Sequence, residues 1–105
     1  MRRHHIGDDA KGWLDGPWSS DLPISIGYAT EAIDERHRHE RQTEIYLVAA
    51  GSAVAVIDGV DVPVRAGDVL IVEPHEVRAF TASSGDYRCF VLLVGGDGTS
   101  DRVPV

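Results

Sequence analysis

Between Leu22 and Val94 the chain sustains no helical periodicity; instead, short apolar runs are cut by turn residues at intervals of about 8–12 positions. Pro23 to Thr30 alternates apolar and small side chains with period two, the pattern of a strand with one covered face. Ile45 to Ala50 is a short apolar run, as expected of a strand covered on both faces. Gly51-Ser52 ends it, and Ala53 to Ile57 begins another strand. Asp58-Gly59 is a strong hairpin signal, because a two-residue turn favours residues that tolerate positive φ. Val60 to Val64, Val69 to Val72, Val77 to Ala82 and Tyr87 to Val94 follow, separated by Ala66-Gly67-Asp68, Glu73-Pro74-His75 and Ser83-Ser84-Gly85-Asp86. Many short strands at this spacing predict an all-β sandwich or barrel.

A chain of 105 residues is long enough for one core. The predicted organisation is an N-terminal arm over 1–21, a barrel over 22–94 and a flexible tail over 95–105. Trp13 and Trp18 lie in the arm. Burying one indole contributes about 2–3 kcal/mol, so the arm is expected to dock on the body or on a partner subunit. The formal net charge of −7 argues against nucleic acid and anionic membranes as partners, since either needs a basic face. A single cysteine, Cys89, excludes an intramolecular disulfide and fits a reducing compartment; in its apolar strand it is expected to be an inert core thiol. No apolar run approaches membrane-spanning length, and Gly7, Asp8 and Asp9 fall where a signal peptide needs its apolar segment. The expected location is cytoplasmic. His4 and His5 are expected to be exposed terminal residues.

The chemistry concentrates at His37-Arg38-His39, with Glu44 five residues further on. Two histidines one residue apart on a strand project to the same face. A carboxylate beyond a short irregular stretch can return to the same spot. Two imidazole nitrogens and a carboxylate oxygen hold a divalent transition metal with positions left open for substrate. Arg36, Arg38 and Arg41, interleaved with Glu35 and Glu40, are expected on the solvated or subunit-facing side of that strand.

The run His37-x-His39, four residues, Glu44, six residues, Gly51 resembles the first signature of the cupin superfamily. Gly67, five further residues, Glu73-Pro74-His75, two residues and Arg78 resembles the second, with fifteen residues between Gly51 and Gly67. The second match departs from the family pattern: Glu73 replaces a proline, His75 a glycine and Arg78 the final histidine, while Glu31 stands where the first signature opens on glycine. The resemblance implies a double-stranded β-helix (a jelly-roll barrel), a homodimer, and a small-molecule ligand. It does not imply one reaction, because the superfamily includes oxygenases, isomerases, lyases and binders.

In a four-ligand site of that family, the last histidine falls at position 78. Arginine keeps its proton and has no lone pair to donate. Held about 5 Å from a divalent ion it is repelled by roughly 6–7 kcal/mol at an effective dielectric near 20, unless an anion intervenes. Three arrangements remain open. His37, His39 and Glu44 hold Fe, Mn, Ni or Zn while Arg78 grips an anionic substrate. Alternatively, Arg78 pairs with Glu44, there is no metal, and the barrel is a non-catalytic binder. Or a bulge at Pro74-His75 brings His75 in as a fourth ligand. Tyr46 shares strand parity with Glu44 and is a candidate catalytic hydroxyl, Tyr28 and Phe80 are expected in the cavity wall, and Glu76 is a loop carboxylate able to neutralise Arg78. The favoured expectation is a metal-dependent oxygenase, isomerase or lyase acting on a small anionic, oxygenated metabolite.

Overall fold

The structure, a computed structural model, describes residues 1–96 and 100–105. Ten strands form among them, and no helix. They are β1 (Lys11–Asp15), β2 (Ile24–Ala29), β3 (Asp34–His39), β4 (Thr43–Ala50), β5 (Ser52–Ile57), β6 (Val60–Arg65), β7 (Val69–Val72), β8 (Arg78–Ser83), β9 (Arg88–Val94) and β10 (Arg102–Pro104). Two five-stranded antiparallel sheets face each other, in the orders β1-β2-β9-β4-β7 and β10-β3-β8-β5-β6. Every predicted strand from β2 to β9 is present, and the turns behave as their residues require: Asp58 and Gly59 both adopt positive φ, at 48° and 80°, in the β5–β6 hairpin.

The two ends depart from expectation. Part of the predicted arm is a strand, because β1 pairs along β2 from Lys11↔Ala29 to Trp13↔Gly27, and so docks on the body. Within the predicted tail, β10 pairs with β3 as Arg102↔His39, Val103↔Arg38 and Pro104↔His37. The charged strand β3 therefore has a neighbour on both sides, β10 and β8.

Strand alternation sorts the side chains. In the first sheet Ser25, Leu93, Glu44 and Val72 form one inward rung, and Trp13, Gly27, Val91, Tyr46 and Leu70 form the next. Tyr46, Val48 and Val72 from this side meet Ala53, Ala55, Val64 and Phe80 from the other sheet to make the core. The Tyr46 and Phe80 rings pack with centroids 4.9 Å apart. The core fills one end of the barrel and leaves an open cavity of about 400 Å³ beside it.

Candidate metal centre

His37 and His39 point inward from β3, and Glu44 points inward from the start of β4 across the turn. All three are buried, and their ligating atoms lie within 4.8 Å of one another. The Nε2 atoms of His37 and His39 stand 3.8 and 3.7 Å from Glu44 Oε1. The two rings meet edge to face, with centroids 5.2 Å apart.

The opposite ring nitrogens settle which lone pairs face inward. His37 Nδ1 lies 2.8 Å from the carbonyl oxygen of Glu35, which only accepts, so the proton sits on Nδ1. His39 Nδ1 lies 2.6 Å from Asp101 Oδ1. The other oxygen of Asp101 accepts the backbone N–H groups of Arg41 and Gln42, at 2.7 and 3.0 Å. Burial works to raise the Asp101 pKa, but the bonds from His39, Arg41 and Gln42 outweigh it and bring it down to about 2. An ionised Asp101 keeps the His39 proton on Nδ1. In the neutral rings, both Nε2 lone pairs then converge on a carboxylate, at distances too long for hydrogen bonds. Three electron-rich groups held together in a buried place suit a cation, and these donor types suit a divalent transition metal. The donor set fits the ion on that ground.

Glu44 is held by its neighbours. Burial works to raise its pKa, but His37, the Tyr46 hydroxyl, His39 and the charge of Arg78 overcome that and lower it. The Tyr46 hydroxyl donates a short hydrogen bond to Glu44 Oε1. Burial, then the adjacent Glu44 charge, pushes the Tyr46 pKa far up, so the phenol keeps its proton.

Arg78 is fully buried on β8, directly opposite His37 in register. Its Nε lies 3.8 Å from Glu44 Oε1, and its Nη2 donates to the carbonyl of Glu73 at 3.2 Å. It is absent from the cavity wall. The cations that do line the cavity are Lys11 and Arg102, both gathered around Asp34, at 3.9 and 3.0 Å. His37, His39, Glu44 and Tyr46 all line it too, as does Phe80. Tyr28 borders it, but its ring turns to the outer face of β2, where its hydroxyl donates to the Asp9 carbonyl, rather than into the wall expected of it.

His75 does not join the cluster. Its backbone turns through a positive φ of 72°, its side chain is 69% exposed, and it pairs with Glu40 at 3.3 Å. Glu76 accepts the backbone N–H of Glu73 within the same turn rather than neutralising Arg78. His4 is bonded to Asp15 at 2.9 Å, away from the candidate centre. Cys89 is buried, and burial raises its pKa, as expected of a core thiol. Sequence reasoning missed Asp101, Lys11, Arg102 and Tyr87, the last a fully buried ring on the cavity wall. Asp101 had no local signal, since its partner His39 is 62 residues away.

Two facing antiparallel sheets with a histidine–carboxylate cluster inside define a small double-stranded β-helix protein with a possible metal site. The cupin domain family model (Cupin_2) matches residues 26–95, and the chain belongs to that family. It is 34% identical over 88 residues to the pectin degradation protein KdgF of Dickeya dadantii (strain 3937), covering 74% of this chain and 79% of the relative. Among solved structures it is similar to Streptomyces PAC13 in a variant form with uridine, at a TM-score of 0.74 and 15% identity, over 95% of this chain and 82% of that one. KdgF from Halomonas sp. aligns at a TM-score of 0.68 and 18% identity, over 83% and 78%. At such identities the two structures speak for the fold.

Proposed function

We propose that this cupin is a metal-dependent enzyme of lyase or isomerase type, acting on a small, oxygenated, anionic metabolite. The observation that carries the reading is the convergence of two imidazole lone pairs and Glu44 on one buried point at the wall of an open cavity. The similarity to a pectin degradation protein supports a sugar-derived substrate, and a further PAC13 structure described as that of a nucleoside dehydratase supports elimination chemistry on this fold.

His37, His39 and Glu44 would hold the ion, which when bound supplies Lewis acidity toward a substrate oxygen. The remaining roles belong to the chain itself. Asp101 and the Glu35 carbonyl fix the two ring tautomers. Tyr46 carries a proton at its hydroxyl, next to Glu44, and suits donation rather than abstraction. Arg102 and Lys11, on the cavity wall, are placed to meet an anionic group. The anion-gripping role expected of Arg78 passes to them, and Arg78 acts as a buried countercharge to Glu44.

The test is metal analysis of protein purified without a histidine tag and incubated with Fe(II), Mn(II), Ni(II) or Zn(II). The parent should bind one ion per chain, and the variant with both His37→Ala and His39→Ala should bind none while keeping its β-sheet circular dichroism. A parent that takes up none of the four ions would overturn the proposal. One observation favours a second reading, a metal-free binding barrel: Arg78 already brings a positive charge to 3.8 Å from Glu44. Metal-free parent protein that still binds small molecules would support it.

A further inference from the structure

Trp13 occupies a position on the cavity wall that the metal chemistry leaves unused. It lies on the inward rung Trp13–Gly27–Val91–Tyr46, and it lines the same cavity as His37, His39 and Glu44. Despite that inward direction Trp13 is 52% exposed, so a large part of its surface is uncovered. The benzenoid side of the indole, at Cε3 and Cζ3, lies against Gly27: a Cβ added there would stand 2.8 Å from the ring. Glycine at 27 is thus the berth that leaves room for the indole on this rung. Trp18 meets Trp13 edge to face, with centroids 6.2 Å apart and an interplanar angle of 72°. Trp18 in turn sits over Gly16, where an added Cβ would be 2.0 Å from its ring. Two glycines and an aromatic edge contact therefore hold one indole in a fixed attitude, which reduces the ordering cost of binding against it.

The spacing sets the size of what fits. From Trp13 to Tyr46 the rung crosses three strand gaps, roughly 14 Å between backbones. The indole already covers the gap above Gly27. What remains toward Tyr46 lies over Val91, a half-buried aliphatic floor. One further strand spacing is about 5 Å, close to the width of a single five- or six-membered ring. Lys11 projects from the same face of β1 as Trp13, and it also lines the cavity.

We infer that Trp13 is a stacking platform that selects a single-ring ligand with one flat face, either the C–H face of a sugar or the π face of a base, and holds it over Val91 toward Tyr46 and Glu44. The inference rests on the reading of this cavity as the substrate site, and it needs no ion. Stacking on an aromatic residue carries enough free energy that its loss weakens binding about tenfold or more.

The experiment titrates D-galactose, D-galacturonate and uridine into the parent, Trp13→Ala and Trp13→Phe, following the indole N–H resonances and saturation transfer from the aromatic side chains. At least one probe should bind the parent, shift the Trp13 indole resonance and receive saturation on one ring face. Galactose and galacturonate report a sugar face, and uridine a base. Trp13→Ala should raise the Kd of that probe about tenfold or more, with Trp13→Phe recovering most of the affinity. Unchanged affinity in a folded Trp13→Ala variant would overturn the platform, as would a parent that binds none of the probes up to about 10 mM. Metal uptake, measured separately on the same samples, reports on the proposed enzyme function independently of either result.

Discussion

At Arg78, one residue decides how the charge inside the barrel balances. The guanidinium is fully buried, and of its polar groups only Nη2 has a hydrogen-bond acceptor, the Glu73 carbonyl. Glu44, 3.8 Å away, is the countercharge that makes this burial tolerable. Replacement by methionine keeps much of the volume and removes the charge, leaving Glu44 buried with less compensation. Arg78→Met is therefore expected to destabilise the apo protein by about 3–5 kcal/mol, measured by urea denaturation. The same protein with Zn(II) or Ni(II) added should recover part of that loss, because an ion replaces the missing positive charge. Arg78→His should bind metal more tightly than the parent, since it puts an imidazole on β8 opposite His37. A titration showing equal or weaker affinity for Arg78→His would mean that position 78 does not face the ligand cluster closely enough to join it.

At the scale of elements, β10 determines how well β3 is held. Asp101, immediately before β10, closes over His39 and caps the β3–β4 turn through two backbone N–H groups. The Asp101 pKa falls from an ordinary 3.8 to about 2 on folding, because the bonds from His39, Arg41 and Gln42 outweigh burial, which works the other way. A depressed carboxyl stabilises the fold fully above its unfolded value and loses that contribution as pH falls through the folded one. The stabilisation should thus fade between about pH 5 and 2, and amounts to about 1–2 kcal/mol once solvent screening is allowed for. Asp101→Asn should flatten the acid limb of the stability profile in that window, as read by denaturation at stepped pH, and weaken metal affinity about 10- to 100-fold. A variant whose acid limb matched the parent's would remove Asp101 from this role. The strand pair β3–β10 also marks what the amino-acid order conceals. The strands β4 to β7 and β9 announce themselves by Val, Ile and Leu runs between Gly, Asp and Pro turns, and β8 by its Ala-Phe core pair. β3 is Asp-Glu-Arg-His-Arg-His, without one aliphatic side chain, and is legible only through the spacing of its histidines. β10 is Arg-Val-Pro, three residues whose pairing is set by a distant neighbour, and β1 carries a glycine and two charges in five positions. Candidate ligands that share a strand or a turn could be read from spacing. Asp101, Lys11 and Arg102 reach the site through pairings of the chain's ends, which no periodicity encodes.

For the molecule as a whole, the unexplained feature is the outer face of the first sheet. Two outward rungs, Ile26–Leu92–Ile45–Ile71 and Tyr28–Phe90–Leu47–Val69, are apolar at every position. Tyr28 is covered by the N-terminal arm, with its hydroxyl on the Asp9 carbonyl at 3.3 Å. Toward the other edge, Val69 and Ile71 are 60% and 55% exposed. Contiguous apolar surface on this scale is unusual for a monomer and suits association. A second copy is the occupant we propose, because β7 is an edge strand carrying Val69 and Ile71 next to the outward residues of β4, so a twofold pairing of this face covers both rungs in each chain at once. Trp13 takes no part in that contact, since its rung faces the cavity. The expected outcome is a dimer by light scattering at micromolar concentration. Replacing Val69 and Ile71 together with lysine should yield a folded monomer, because two desolvated charges per chain cannot be buried in an apolar interface. Because His37, His39 and Glu44 all come from one chain, the monomer should still take up metal. A parent that scatters as a monomer at all concentrations would leave the face to another partner, and a lysine variant that stays dimeric would place the contact elsewhere on the barrel.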